Sequence, residues 1–320
     1  MNTSNSQTPE KTIVVALGRN SFGETFPEQK KNVSKAAQAI ADLVQEDYQI
    51  VITHSNGPQI GMIQTAMTEF ARLDQKYTVA PLALCSAMSQ GYIGYDLQNA
   101  IRKELLDRGI FKPVSTIITQ VKVDPFDPAF QNPTKVIGRR MTKEEAQAEE
   151  EKGNFVVEED GAYRRIVASP APMDIYEIDA IQALLDAGQI VIAAGGGGIP
   201  VLEQSTSLQG ASAIIEKDYT AAKLAHMLNA STLLILTGST PLQADGKELR
   251  NVTVEEAKEL LDGEHFPTLT TYPKMESCYR FVSTGPERKG IIADVAKARE
   301  ALMGYCGTCI SNGNDSLQSP

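Results

Sequence analysis

The sequence has few of the residues that build disulfide frameworks, metal centres or membrane spans. Its 320 residues include four cysteines, three histidines and no tryptophan, and so few cysteines argue against a disulfide scaffold. Cys306 and Cys309 have CxxC spacing, but a zinc site needs four ligands and no second pair exists, so we interpret the spacing as coincidence. No stretch approaches the roughly 18 consecutive apolar residues of a transmembrane helix.

Basic residues are also under-represented. Lys and Arg total 30 against 40 Asp and Glu, which gives a net charge of −10. Nucleic acids and anionic membranes attract basic surfaces, so we expect neither as a partner. The N-terminus is polar and lacks an apolar signal core, so we expect a cytoplasmic protein.

What the sequence does contain is a recurring order of strand, small-residue loop and helix. Continuous apolar runs, typical of strands buried on both faces, occupy residues 12–17, 49–53, 114–119, 189–194 and 231–237. Apolar residues at helical spacing predict a helix over 28–47. This alternation predicts an α/β fold, with a mostly parallel central sheet between two helical layers and ligands at the carboxyl ends of its strands.

Residues 121–168 interrupt this order. Turn signals come first, then a charged helix over 142–153 with Thr142 and Glu145 as a capping box, then a hairpin over 155–167. We interpret this stretch as a lid-like subdomain inserted in a domain that spans 11–310. We expect disordered tails at 1–10 and 311–320.

The strongest local motif is the glycine run Gly195–Gly198, which directly follows a predicted buried strand. Glycine lets backbone N–H groups approach an anion closely, so the run indicates an anion or phosphate near the backbone, with a flexible turn as the alternative. Neither GxxxxGK[ST] nor a GxGxxG after the first strand is present, so the chain matches no P-loop or dinucleotide fingerprint.

Two lysines could supply positive charge to a phosphoryl group. Lys217 is followed by Asp218, and an acid beside a lysine can orient it or hold a metal. Lys135 lies in the presumed lid, where closure would exclude water. Taken alone, each is more typical of a solvated surface. His54 has no obvious partner and is interpreted as structural, whereas Asn56 and the N–H of Gly57 are better donors to a small carboxylate.

Set together, these segments resemble the carbamate kinases of the amino acid kinase superfamily over nearly all of residues 12–310. The motifs that carry the resemblance are Val15-Ala-Leu-Gly18-x-Asn20, Thr53-His-x-Asn56-Gly-Pro-Gln-x-Gly61, Ala87-Met-Ser-Gln-Gly91-Tyr-Ile-Gly94-Tyr95, Thr119-Gln-Val-x-Val-Asp124-Pro-x-Asp127-Pro-Ala-Phe130-x-Asn132-Pro-Thr-Lys135, Lys217-Asp218, Pro273-Lys274 and Gly307-Thr308.

The resemblance implies an αβα sandwich, a homodimer, and the reaction ATP + carbamate ⇌ ADP + carbamoyl phosphate with Mg²⁺ and ATP or ADP, often at the end of arginine catabolism. By position, it implies catalytic roles for Lys135, Lys217 and Asp218, the last of which could also contact Mg²⁺. It implies that the acceptor and phosphates are bound by Gly18, Asn20, Asn56, Gly57, Gly195, Gly196 and Gly197, and the nucleotide by Thr237 and Lys274.

The chain departs from the family pattern where Arg19 and Ser55 replace glycines in loops that touch the acceptor, and at residues 270–272. If either former glycine position needs a left-handed backbone, the replacement costs about 1–2 kcal/mol, and a side chain there could fill the phosphoryl space. Three hypotheses therefore stay open: an active carbamate kinase, a catalytically weak homologue with a regulatory binding role, and a kinase of another small carboxylate.

Overall fold

The computed structural model describes residues 11–74, 76–159, 161–238, 241–263, 265–266 and 270–313. The tail expected at 1–10 lies outside the described residues, as do residues 314–320 of the tail expected at 311–320. The last strand ends at Ser311, and Asn312 Nδ2 donates to the carbonyl of Gly285 at 3.1 Å, so the domain extends past the predicted boundary at residue 310. Within the described part, no helix has the length and apolarity needed to span a bilayer.

The described strands are β1 (Thr12–Leu17), β2 (Gln49–His54), β3 (Val114–Thr116), β4 (Gln120–Lys122), β5 (Lys135–Met141), β6 (Phe155–Glu159), β7 (Ala162–Val167), β8 (Asp174–Ile175), β9 (Ile190–Ile192), β10 (Ile199–Gln204), β11 (Ser207–Gly210), β12 (Thr232–Thr237), β13 (Leu242–Ala244), β14 (Lys247–Leu249), β15 (Asn251–Thr253), β16 (Lys289–Asp294) and β17 (Thr308–Ser311). The described helices are α1 (Phe26–Val44), α2 (Gly57–Leu73), α3 (Leu82–Asp107), α4 (Lys143–Glu150), α5 (Ile178–Asp186), α6 (Lys217–Met227), α7 (Val254–Asp262), α8 (Tyr272–Val282) and α9 (Ala298–Leu302).

The main sheet has eight strands in the order β15-β17-β16-β12-β1-β2-β9-β3. Neighbouring strands are parallel except β16 and β17. Both faces are covered, because alternate side chains of each strand enter different cores. Ile13 and Val15 pack in the core that includes α1 and α3, whereas Val14 packs in the core that includes α5, α6 and α8. The predicted αβα sandwich is confirmed.

The inserted stretch forms smaller sheets outside the main one. Strands β5, β7 and β6 make a three-stranded antiparallel sheet, while β4 joins β8, β10 and β11 in a four-stranded sheet. The capping box that starts α4 is present, with Thr142 Oγ1 accepting from the Glu145 amide at 3.3 Å. The predicted hairpin corresponds to β6 and β7. Movement of the inserted subdomain as a lid stays a prediction.

Candidate active site

The polar loops predicted to bind ligands lie along one edge of the main sheet. Strands β12, β1, β2 and β9 are parallel neighbours, so their carboxyl ends meet at this edge. Gly18 follows β1, and its amide donates to the carbonyl of Leu236 in β12 at 2.9 Å. Asn20 lies so close to Gly238, which follows β12, that a Cβ on Gly238 would overlap Asn20 Nδ2.

The glycine run forms a tight turn after β9. Ala194 (φ 51°) and Gly196, Gly197 and Gly198 (φ 67°, 88° and 87°) all have left-handed backbone, a conformation that glycine adopts at low cost. Space requires glycine as well: a Cβ on Gly195 would overlap the His54 ring, and one on Gly196 would overlap the Asn56 amide. The run is therefore a built part of the site rather than a flexible turn.

Buried side chains hold the carbonyl groups of this turn. Thr53 Oγ1 donates to the carbonyl of Ala194 at 2.8 Å, Gln90 Nε2 to that of Gly195 at 3.0 Å, and Thr220 Oγ1 to that of Gly197 at 2.9 Å. Preorganised backbone of this kind needs no rearrangement when a charged ligand binds.

The donors of the loops are not equivalent. The Gly197 amide, which is predicted to bind phosphate, already donates to the Ala194 carbonyl at 3.0 Å within the turn. The Asn56 side-chain amide donates to Ser89 Oγ at 2.9 Å. Gly57 is the first residue of α2, where unpaired N–H groups favour anions.

The predicted catalytic residues come together at the start of α6. Lys217 is its first residue, and its ammonium donates to Asp218 Oδ1. Lys274, from the first turn of α8, places its Nζ 3.6 Å from Asp218 Oδ2. Lys135 reaches the same place from β5 and pairs with Glu216, the residue before α6. Three lysines and two acids thus form one cluster, which we call the lysine cluster.

In the lysine cluster, burial and neighbouring opposite charges shift the pKa values in opposite directions. Burial by itself would raise the pKa of Asp218, but the Lys217 and Lys274 ammonium groups outweigh it and hold that pKa below its ordinary value. Asp218 is therefore a permanent anion at neutral pH. Burial lowers the pKa of Lys274, although Asp218 opposes the shift.

His54 is structural, as its sequence context indicated. Its side chain is buried, its ring packs edge-on against Phe22 with centroids 5.7 Å apart, and it fills the space beside Gly195. Burial, assisted by the Lys217 charge, lowers its pKa to about 4, so the imidazole is neutral at pH 7.

Arg19 and Ser55, two of the departures from the family pattern, do not strain the backbone of their loops. The non-glycine residues with left-handed backbone in the described chain do not include Arg19 or Ser55, so the expected strain is absent. Arg19 is 56% exposed and pairs with Glu24 at the surface. The condition for that cost, a left-handed backbone at either position, is therefore not met, and the Arg19 guanidinium lies against Glu24.

A cavity of about 320 Å³ opens on the same edge, beside the ends of β12 and β16. Its lining includes Gly238, Arg250, Asp294 and Lys297. Thr237, which is predicted to bind the nucleotide, directly precedes the lining residue Gly238 but does not itself line the cavity. Lys274, the other predicted nucleotide-binding residue, belongs instead to the lysine cluster.

The described residues do not fit a metal cage made by the protein alone. They contain no group of three or more His, Cys, Asp or Glu side chains arranged to hold an ion. Both oxygens of Asp218 face lysine ammonium groups, which leaves that carboxylate poorly placed as a direct ligand.

Sequence reasoning missed the groups that support the site. Thr53, Gln90 and Thr220 were not singled out as functional, although Thr53 and Gln90 lie within segments that carry the family resemblance. Glu216 gave no signal, since a single acid beside a lysine is common on protein surfaces.

Comparisons with known proteins agree with this geometry. Residues 11–294 match the model of the amino acid kinase family. The chain is 45% identical to the carbamate kinase-like protein YqeA of Escherichia coli, over 94% of this chain and 99% of that protein. It is 43% identical to the carbamate kinase of Clostridium perfringens, over 93% and 99%. The structure of the Giardia lamblia carbamate kinase bound to AMP-PNP superposes with a TM-score of 0.87 at 34% identity, over 95% and 99%. The chain belongs to the amino acid kinase family, as a phosphotransferase of the carbamate kinase type.

Proposed function

We propose that the protein catalyses ATP + carbamate ⇌ ADP + carbamoyl phosphate, with the nucleotide as its Mg²⁺ complex. The observation that carries the proposal is the lysine cluster, in which Lys135, Lys217 and Lys274 surround two acids beside a rigid glycine turn. Phosphoryl transfer demands positioning and positive charge more than covalent chemistry, and this edge of the sheet supplies both.

In the forward direction, a carboxylate oxygen of carbamate attacks the γ-phosphorus, and the bond from that phosphorus to the β,γ-bridging oxygen breaks. The attacking oxygen is already anionic, so the step needs no general base. This agrees with a site whose one nearby imidazole is buried and packed against Gly195. Bound Mg²⁺ would neutralise charge on the nucleotide phosphates.

The side chains of the cluster have distinct tasks in this mechanism. Lys217 and Lys135 neutralise charge on the transferred group, helped by the N-terminus of α6. Asp218 holds Lys217 and Lys274 in place and makes no bond to substrate. We assign Asn20, Asn56, Gly57 and the glycine turn to the acceptor and phosphates.

An inactive regulatory homologue is not favoured, because Arg19, one of the features that suggested it, pairs with Glu24 at the surface. The chain retains every charged group that the mechanism uses.

The cellular setting belongs to the same proposal. An acidic protein without a membrane-spanning helix in its described residues fits a cytoplasmic role, and the reverse reaction would form ATP at the end of arginine catabolism. We also propose a homodimer, supported by the exposed apolar side chains of Leu84, Met88 and Tyr95 on α3.

The direct test measures ATP formed from MgADP and carbamoyl phosphate, read by coupling ATP to glucose phosphorylation. We expect turnover by the wild-type protein, and a fall in kcat of about 10²–10³ for Lys217→Ala, the range typical of removing one preorganised charge-stabilising donor. Lys103→Ala is the matched control, because Lys103 is 75% exposed on α3 and pairs with Asp107 one helical turn away. Wild-type turnover no higher than that of Lys217→Ala rejects the proposal.

A further inference from the structure

The one lysine of the cluster that comes from the inserted subdomain has its own acidic partner. Lys135 opens β5, and its ammonium donates to Glu216 Oε2. Glu216 directly precedes Lys217 as the N-cap residue of α6. The side chains are 32% and 15% exposed, so the pair lies partly buried at the opening of the lysine cluster. It joins the subdomain to the main domain.

Glu216 can release its lysine partner more easily than Asp218 can. Asp218 is buried and is held between two lysines of the main domain. Glu216 holds a lysine from a separate sheet, and the Lys135 side chain is still about one-third exposed. An incoming anion can therefore take the ammonium of Lys135 from Glu216 without disturbing Asp218.

A charge count gives the consequence for binding. Lys135, Lys217 and Lys274 contribute three positive charges, and Glu216 and Asp218 two negative ones, so the cluster is +1. Neutralising Glu216 makes it +2 and also frees the Lys135 ammonium. Both changes favour a bound phosphoryl group in the ground state.

We propose that Glu216 is a positioning residue that holds Lys135 when the site has no phosphoryl group, and releases it to the γ-phosphoryl group of bound nucleotide. The inference rests on the proposed function, because it assumes that nucleotide binds at the lysine cluster. Glu216 thereby weakens ground-state binding of the triphosphate and keeps the subdomain lysine in register before substrate arrives.

The test is calorimetric and involves no turnover. In AMP-PNP a nitrogen replaces the β,γ-bridging oxygen, so its γ-phosphoryl group resists transfer. MgADP lacks a γ-phosphoryl group. For Glu216→Gln, which keeps the side-chain size, we expect the Kd for AMP-PNP to fall about three- to fivefold, within the range for one partly exposed ion pair. The Kd for ADP should change less than about twofold, because ADP brings nothing that competes for Lys135.

Two controls separate this role from a general effect of charge or packing. Glu203→Gln removes one negative charge from a comparable Lys122–Glu203 pair on the neighbouring sheet, and should leave both Kd values unchanged. In a Lys135→Ala background, Glu216→Gln should tighten AMP-PNP binding less than it does in the wild-type background, because only the change in net charge remains. This difference is the signature of coupling between the two residues.

The inference is overturned if Glu216→Gln binds AMP-PNP no more tightly than wild type does, or if the tightening is equally large in the Lys135→Ala background. Failure to turn over carbamoyl phosphate would leave this result standing, since the measurement needs no acceptor. Failure of the wild-type protein to bind AMP-PNP at all would instead reject the proposed function itself.

Discussion

At the scale of single residues, Lys274 carries a positive charge that burial disfavours, at a position where the family resemblance implies contact with the nucleotide. Burial lowers its pKa below the ordinary 10.5, and Asp218 only partly compensates. Between the lowered pKa and 10.5, the folded protein binds fewer protons than the unfolded chain, so this group makes stability rise with pH in that window. A loss of activity there would therefore reflect deprotonation of Lys274 and not unfolding caused by it.

We predict that Lys274→Arg moves the alkaline limb of the pH–rate profile upward. A guanidinium stays protonated across the accessible range, so the variant keeps its charge where wild type loses it. The measurement is kcat/KM for ATP formation from pH 7 to 10.5, and the position of the limb decides the result even if the larger side chain lowers the rate. Lys103→Arg, on the exposed face of α3, should leave the profile unchanged; an unmoved limb in Lys274→Arg would contradict the prediction.

Residue identities were partly predictable from the sequence. The structure brings Lys135, Lys217 and Asp218 together, as the family resemblance implied, and their catalytic roles stay predictions. The supporting contacts were not predictable, because they join distant positions: Gln90 to Gly195 spans 105 residues and Thr53 to Ala194 spans 141. No local pattern records which carbonyl a buried amide will meet.

At the scale of elements, the glycine turn after β9 is the part of the site with the least freedom. We predict that Gly196→Ala abolishes most activity, because the new Cβ would overlap the Asn56 amide, and Asn56 is itself fixed on Ser89. We expect kcat/KM to fall at least about 10²-fold, the effect of misplacing one ligand-binding group. The ATP-forming assay measures it.

Gly188→Ala provides a matched control for backbone strain. Gly188 has φ +73°, close to the +67° of Gly196, but a Cβ there would meet nothing within 4 Å. Both variants should lose about 1 kcal/mol of unfolding free energy in urea titrations from the left-handed backbone alone. Equal activity losses in the two variants would mean that strain, and not overlap with Asn56, is responsible.

The presence of a strand or helix was easier to predict from the sequence than the residues at which it begins and ends. The strand predicted at 12–17 is confirmed to the residue, and the helix predicted at 28–47 spans Phe26–Val44. The run at 189–194 is extended only over Ile190–Ile192, because Ala194 already adopts the left-handed backbone of the turn. Strands β16 and β17 were not predicted.

At the scale of the whole molecule, α3 has one face that the fold leaves uncovered. Its inner face packs in the core through Ile93, Leu97 and Ile101. Its outer face carries Leu84, Met88 and Tyr95, exposed by 50%, 42% and 69%. At about 100° per residue, these three side chains fall within about 40° of one another. We call them the α3 stripe, and an apolar stripe of this kind marks an interaction surface.

We predict that the α3 stripe joins two copies of the chain, and that Met88→Glu separates them because it places a charge in the middle of the stripe. Sedimentation equilibrium should give the wild-type protein a mass near twice 34.7 kDa, and the variant a mass near 34.7 kDa. Phe111→Glu is the control, since Phe111 is 87% exposed but lies after the end of α3. All members of the lysine cluster come from one chain, so the separated variant should keep its activity per subunit in the ATP-forming assay. A monomeric wild-type protein, or a Met88→Glu variant with unchanged mass, would show that the stripe has another use.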